Sequence, residues 1–193
     1  MSSTKCYIHG NTTGDHRSPQ TLVIPTTIYR NTTAIEGNFG LGFSCHHSAT
    51  MALHAIKSFD DFEVIMVPFG PLNPGAAKEL FPLAKSKGIG TVAMKPFGGG
   101  GGFFNAVRSG AVPNPMPEAR PTDGRPYQAA LRWVLKEKNL DCTVPGMTSV
   151  KEIDELATAA KEPFNEKDEE ILDVYTVAFG NSGKKDSLSL NWA

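Results

Sequence analysis

Side chains that can transfer protons follow two of the strands that the hydrophobic pattern predicts. His46 and His47 come directly after one apolar strand, and Lys95 ends another. Histidine titrates near neutral pH and can serve as a general acid or base. A lysine at a strand tip can bind an anion, or act as a base once it is desolvated. All three are therefore candidate catalytic residues; the alternatives are that the histidines cap the next helix and that Lys95 is an ordinary surface lysine.

Carboxylates, the other common acids and bases, do not follow any predicted strand directly. That distribution weighs against a hydrolase built from two carboxylates at strand tips. Glu118 and Asp123 lie instead in a long Gly- and Pro-rich stretch at 96–126, and loops of this length are usually functional or disordered. Hydrolysis by these two residues, together with the histidines and Lys95, stays open as one interpretation.

Two backbone features could bind a phosphate group. Ser149 and Glu152 have the spacing of a capping box, which predicts that a helix begins there. An anion could bind the free N–H groups and the positive end of that helix, at Thr148, Ser149 and Lys151. A run of glycines at 98–102 could let the backbone approach phosphates, or could simply be a flexible loop; it includes Gly98, Gly99 and Gly100.

The apolar residues recur with the periods of alternating strands and helices. Strands are predicted at 39–44, 64–68, 90–95 and 142–145. Helices are predicted at 48–59, at 74–87 with Asn73 as N-cap, and at 126–138, 149–161 and 166–179. Apolar strands that alternate with amphipathic helices indicate an α/β fold with a parallel sheet covered by helices. Four such units make half of a (β/α)8 barrel of the TIM type.

The two ends of the chain have weaker patterns. Residues 1–36 are polar, and only 21–25 is a possible strand. We expect this segment to be irregular, or to be ordered mainly by contacts with the rest of the chain. We also expect the tail at 180–193 to be loosely held, which leaves 37–179 as the half barrel.

Composition weighs against several classes of function. Of the 193 residues, 40% are hydrophobic and 20% are charged, which is typical of a soluble globular protein. A net charge of -1 gives no electrostatic case for a nucleic acid or a membrane as partner. No signal or membrane-spanning segment is expected. Cys6, Cys45 and Cys142 are odd in number and widely spaced, so we expect no disulfide framework, no metal site and a reducing cytoplasm.

Four segments carry a resemblance to a known family. Residues 37–46 resemble the pattern GKIRHFGFSxH, and residues 79–100 resemble a segment that contains gigvvaMKPLGGG. Residues 130–135 are similar to aLrwvL, and residues 144–152 are similar to vipGmssveq. All four patterns belong to aldo/keto reductases and stand here in the family's order. Residues 37–175 therefore resemble the C-terminal half of an aldo/keto reductase.

The resemblance implies an oxidoreductase that acts on a small-molecule substrate and binds NAD or NADP. It places cofactor contacts at the glycine loop, at Ser44, at Glu155 and at Thr148, where the family holds the adenosine phosphate of its cofactor. The segment that ends in His9 resembles the family strand whose histidine contacts the substrate carbonyl. His9 is then a further candidate catalytic residue at the end of a fifth parallel strand; the alternative is a histidine on an exposed N-terminal strand.

The resemblance also has gaps. The family's catalytic tyrosine, with its partner aspartate and lysine, lies on the first three barrel strands, which we expect this chain to lack. The family's adenine-binding Glu-Asn pair corresponds here to Glu155 followed by Leu156. Three functions therefore stay open: an NAD(P)-linked oxidoreductase, a hydrolase, and a non-catalytic truncated fragment.

A half barrel leaves strand edges and the inner face of its sheet uncovered. Such surfaces favour association with another chain. We therefore expect a homodimer or a higher homo-oligomer, because a second copy can bury the same surfaces on both partners.

Overall fold

The chain folds into one open sheet, and the computed structural model describes residues 7–8, 27–30, 41–46, 49–99, 102–116 and 125–181. The strands follow one another across the sheet in chain order: β1 (Tyr7–Ile8), β2 (Thr27–Arg30), β3 (Leu41–Ser44), β4 (Phe62–Pro68), β5 (Gly90–Met94) and β6 (Cys142–Val144). Strands β3 to β6 pair in parallel, whereas β1 and β2 are antiparallel to their neighbours. The described strands do not close into a barrel.

Helices flank the parallel part of the sheet. They are α1 (Ala49–Ser58), α2 (Leu80–Ser86), α3 (Phe103–Arg108), α4 (Arg125–Leu135), α5 (Val150–Ala159) and α6 (Glu166–Asn181). Four parallel strands with flanking helices confirm the predicted α/β half-barrel fold. Within the described ranges, no helix is long and apolar enough to cross a membrane.

The two faces of the parallel sheet differ in burial. Because side chains alternate along a strand, Phe43, Ile65 and Ala93 share one face, where they are fully buried in a cluster with residues of α1 and α2. Val64 of β4 and Val144 of β6 belong to the opposite face, and their side chains remain 42% and 46% exposed. The face that a closed barrel would turn inward is therefore partly open.

A second hydrophobic cluster joins α3 to α4, α5 and α6. Its buried members include Phe104, Leu131, Leu156 and Tyr175, one from each of these helices. The rings of Phe104 and Tyr175 are stacked, with centroids 5.1 Å apart. This packing fixes α3, a short helix with little stability of its own, at the ends of β5 and β6.

The prediction of one continuous helix at 74–87 is wrong. The structure divides it into a 3-10 turn (Gly75–Ala77) and α2. Pro82 explains the division, because proline has no N–H for the bond that a continuous helix would require there. Starting α2 at Leu80 puts Pro82 in the first turn, where N–H groups have no helical partner. The predicted cap, Asn73, is also wrong: its buried side chain makes no hydrogen bond within the described part of the chain.

The stretch at 96–126 is not all loop, because it contains α3. Phe103, Phe104 and Val107 are buried in the second cluster, so hydrophobic packing stabilises this helix. The sequence pattern did not predict this helix, because it is only six residues long and a run of glycines directly precedes it. Within the same stretch, residues 100–101 and 117–124 lie outside the described residues.

The N-terminal part differs from the expectation of a fifth parallel strand. Strand β2 lies beside β3 and is antiparallel to it, so β1 is separated from the parallel strands by β2. The possible strand at 21–25 and the tail beyond Asn181 lie outside the described residues. The parallel part of the sheet therefore has four strands rather than five.

Asp141 fixes the edge strand β6 beside β5. Its carboxylate accepts hydrogen bonds from the backbone N–H of Thr91 (2.8 Å) and the Thr91 hydroxyl (3.1 Å), and it pairs with Lys85 at 3.0 Å. The backbone N–H of Thr91 is the main reason that the pKa of Asp141 lies below its usual value, with the Lys85 ammonium as a further cause. Because the two strands are tied at their start, their carboxyl ends emerge side by side.

Candidate functional site

A cavity of about 600 Å³ lies where β5 and β6 end. It is bounded by the segments that follow these two strands and by residues of α3, α4 and α5. Its volume is within the range of roughly 300–1,000 Å³ that is typical of small-molecule sites. The carboxyl ends of parallel strands are also where barrel folds carry their active sites.

Lys95 enters the cavity from the tip of β5 in an unusual backbone conformation. Its φ angle of 53° lies in the left-handed region, which is uncommon for residues other than glycine. The backbone N–H of Gly98 donates to the carbonyl of Lys95 (2.9 Å) and closes the turn. A Cβ at Gly99 would lie 3.3 Å from Cδ of Lys95, so a glycine there leaves room for the lysine side chain. The turn therefore places a cation against the glycine loop.

A hydrogen-bond network connects the glycine loop to α3 and α4. Nδ2 of Asn105 donates to the carbonyl of Gly99 (2.8 Å). The Tyr127 hydroxyl lies 3.3 Å from both the carbonyl of Phe104 and Oδ1 of Asn105, so its single proton is shared between these two acceptors. Burial raises the pKa of Tyr127, and the nearby Arg108 side chain opposes this only in part. The phenol therefore stays protonated and positions the loop.

Glu152 bridges the start of α5 to α3 across the cavity. Its Oε2 accepts from the backbone N–H of Thr148 (2.6 Å) and from the Thr148 hydroxyl (3.0 Å). Its Oε1 lies 2.9 Å from Nη2 of Arg108. The pKa of Glu152 lies below its usual value, chiefly because of the Thr148 N–H and further because of the Thr148 hydroxyl and Arg108. Glu152 is therefore ionised at neutral pH.

The first turn of α5 keeps donors for a ligand. The Ser149 hydroxyl accepts from the backbone N–H of Glu152 at 3.2 Å, which confirms the predicted N-cap. The N–H groups of Val150 and Lys151 precede the first helical bond, and no acceptor faces them within the described chain. An anion at this end of the cavity could therefore bind to main-chain donors.

Positive charge exceeds negative charge among the cavity residues. Lys95, Arg108 and Lys151 face two carboxylates, Glu152 and Glu155. Lys151 pairs only loosely with Glu155, at 3.5 Å. In the described part of the chain, Lys95 has no carboxylate partner. The cavity is therefore suited to an anionic ligand.

The structure brings together only part of the predicted site. The predicted residues that line the cavity are Lys95, Gly99, Thr148, Ser149, Lys151 and Glu155. Ser44 is buried at the end of β3, and neither it, His46 nor Gly98 lines this cavity. The remaining candidates lie outside the described residues: His9, His47, Gly100, Glu118 and Asp123. The described members of the proposed hydrolytic set, His46 and Lys95, thus do not share the cavity.

Sequence reasoning missed three residues that shape the cavity. Asn105 and Arg108 are on α3, within a stretch that was interpreted as loop, and Tyr127 is in the first turn of α4. The one available signal was the apolar spacing of Phe103 and Val107, which is that of a helical turn. The described residues contain no group of three or more His, Cys, Asp or Glu side chains arranged to hold a metal ion.

Comparison with known proteins points to one family. The model of the aldo/keto reductase family matches residues 39–175. The holo form of an aldo-keto reductase from Bacillus halodurans is 16% identical, with a TM-score of 0.43, over 63% of this chain and 46% of its own. A thermostable aldo-keto reductase in complex with the inhibitor epalrestat is 16% identical, with a TM-score of 0.44, over 68% of this chain and 47% of its own. The chain therefore spans about half the length of these structures. No curated protein sequence matches it.

Proposed function

Because this chain belongs to the aldo/keto reductase family, we propose that its cavity binds NAD or NADP and that the chain acts as an oxidoreductase. The observation that carries the proposal is the excess of cations and open main-chain donors in a cavity at the ends of β5 and β6. A nicotinamide dinucleotide is anionic through its two linked phosphates. Its size and charge fit a cavity of this volume and composition.

The cavity residues divide into two roles. Lys151 and the first-turn N–H groups of α5 would hold phosphate oxygens, since a helix N-terminus favours negative charge. Asn105 and Tyr127 hold the glycine loop in place through the bonds to the carbonyl of Gly99 and to each other. When bound, the nicotinamide supplies or accepts a hydride. Lys95 Nζ, at the strand tip, is the group we assign to polarise a substrate carbonyl.

The other two functions have less support. For a hydrolase, Lys95 is the one proposed catalytic residue among the described residues that lines the cavity. No specific observation favours that activity, and we do not propose it. A non-catalytic fragment would not require an excess of cations in the cavity.

A fluorescence titration with NADH tests the proposed function. Binding in a partly apolar cavity changes the emission of the reduced nicotinamide, so we expect a saturable change that excess NAD⁺ reverses. The control is the same titration after thermal unfolding of the protein. A titration without saturation, at the highest concentration of folded protein, would contradict the proposal and favour the non-catalytic fragment.

We propose further that two copies of the chain associate through the flank formed by β6 and the start of α5. Strand β6 is the last strand of the described sheet, and its far edge carries backbone groups without a strand partner. At the start of α5, the exposed hydrophobic side chains of Val150 and Ile153 lie about one helical turn apart and outside the cavity lining. A second copy would bury the same side chains from both partners.

Replacing Val150 with glutamate tests this association. Val150 is 73% exposed, so the change should leave the fold intact but place two charges in a symmetric interface. We expect light scattering coupled to size-exclusion chromatography to show a dimer for the unchanged chain and a monomer for Val150→Glu. Val177→Glu on α6, at a position that is 64% exposed, is the control and should remain dimeric. If light scattering showed that the unchanged chain is a monomer, that result would exclude the proposed interface.

A further inference from the structure

The amine of Lys95 differs from the other two cations of the cavity, because it has no ion-pair partner among the described residues. Arg108 pairs with Glu152 at 2.9 Å, and Lys151 pairs with Glu155 at 3.5 Å. Both carboxylates of the cavity are thus engaged elsewhere. A lysine amine is a nucleophile as well as a cation, since its neutral form attacks carbonyl carbons.

The backbone and the glycine loop restrict the position of this amine. The φ angle of 53° at Lys95 is a strained value for a residue with a Cβ, and such strain is concentrated at functional sites. Its Cγ, Cδ and Cε lie between 3.3 and 3.8 Å from the place of a Cβ at Gly99. The stem of the side chain therefore runs along the backbone of Gly99, whose carbonyl is bound by Nδ2 of Asn105. The amine is presented at the cavity wall by a packed stem rather than a mobile one.

Donors for an anion follow the neighbouring strand. Met94 of β5 pairs with Val144 of β6, and adjacent strands lie about 4.8 Å apart. Lys95 follows Met94 directly, and the segment after Val144 leads to the start of α5. The cations Arg108 and Lys151 line the same cavity. A small molecule that carries both an anionic group and an electrophile can therefore contact these donors and the amine together.

We propose that Lys95 forms an imine with phosphorylated aldehydes that bind in this cavity. The neutral amine attacks the carbonyl carbon, and one amine proton moves to the carbonyl oxygen to give a carbinolamine. The hydroxyl then leaves with the second amine proton as water, and a C=N bond forms. The step consumes no oxidant or reductant and needs no nicotinamide. It is therefore an activity separate from hydride transfer.

The cavity selects this class of compound through its charge and its walls. A phosphate monoester carries a charge of about -1.5 to -2 at neutral pH and binds guanidinium, ammonium and main-chain N–H groups. Phe97 and Met147 supply apolar surface for the remainder of the ligand. An aldehyde carbon is less hindered than a ketone carbon and is attacked more readily. Binding of the phosphate raises the local concentration of the aldehyde beside the amine.

Borohydride trapping with pyridoxal 5′-phosphate tests the proposal on the full chain. An equimolar amount of this phosphorylated aldehyde is added, borohydride reduces each C=N bond to a stable amine, and peptide mass spectrometry locates the adducts. We expect Lys95 to carry at least about tenfold more label than the exposed Lys57 and Lys78, because the phosphate holds the aldehyde near it. Pyridoxal, which lacks the phosphate, should label all three lysines within about threefold of one another.

Two variants separate the amine from the anion site. Lys95→Arg keeps the positive charge but forms no stable imine, so it should lose the major adduct and leave the labelling of Lys57 unchanged. Lys151→Ala should lower the labelling of Lys95 by pyridoxal 5′-phosphate about threefold, the effect of one exposed charge, and should not change its labelling by pyridoxal.

Three results would overturn the proposal: label spread evenly over the lysines, a major adduct that persists in Lys95→Arg, or equal enrichment at Lys95 with pyridoxal. The proposed function is tested separately, because trapping is done without any dinucleotide. A chain that bound NADH but formed no adduct at Lys95 would retain the proposed function and exclude this activity. A chain that formed the adduct but did not bind NADH would do the reverse.

Discussion

Replacing Asp168 with alanine is expected to lower the free energy of unfolding by about 3 kcal/mol or more. Asp168 accepts two short bonds from Arg132, at 2.7 Å from Nε and 2.6 Å from Nη2. The two side chains are only 3% and 9% exposed, so the substitution leaves a guanidinium buried between α4 and α6 without its main partner. Asp168 also accepts from the backbone N–H of Asn165 and thus helps to start α6.

A weaker ion pair between Arg132 and Glu162 remains in the Asp168→Ala variant and reduces the expected loss of stability. Glu162 lies 3.4 Å from Nη1 of Arg132 and is mostly exposed, so it can offset only part of the lost charge. The measurement is chemical denaturation, with Asp173→Ala on the exposed side of α6 as the control. A loss of less than about 1 kcal/mol, the value of a surface ion pair, would show that this contact does not hold α6 in place.

Replacing Arg108 with alanine is expected to weaken NADH binding about tenfold, which corresponds to about 1.4 kcal/mol. The variant has two cavity cations left for two carboxylates. Glu152 keeps its charge, because Thr148 rather than Arg108 is the main cause of its lowered pKa. The substitution therefore removes the excess of positive charge on which the proposed binding depends.

The control for this prediction is Lys57→Ala, which removes a positive charge from the exposed end of α1. It lowers the net charge of the chain by the same amount without touching the cavity. We expect it to leave NADH binding unchanged. If both variants weakened binding equally, the effect would be one of overall charge, and Arg108 would have no specific role.

Local patterns in the sequence were sufficient for the parallel sheet and for part of the candidate site. Lys95 could be placed because it ends an apolar strand, and Ser149 because its spacing to Glu152 is that of a capping box. The positions of such residues depend on a few neighbours along the chain. The break at Pro82 was also a local signal, and the interpretation of 74–87 as one helix overlooked it.

The contacts that give the cavity its charge could not be predicted in the same way. Arg108 and Glu152 are far apart in sequence and meet only because α3 packs on α4, α5 and α6. Helix α3 is too short to have a clear periodic pattern, and its stability comes from the burial of Phe103 and Phe104. The antiparallel β2 beside β3 likewise depends on pairing between distant segments.

Amide hydrogen exchange with and without NADH tests the central claim most directly, because it reports where the dinucleotide binds. We predict slower exchange at 94–99 and 144–156, the segments that follow β5 and β6 and line the cavity, and no change at 41–58 on β3 and α1. Unchanged exchange at both cavity segments, or protection confined to 41–58, would contradict the account.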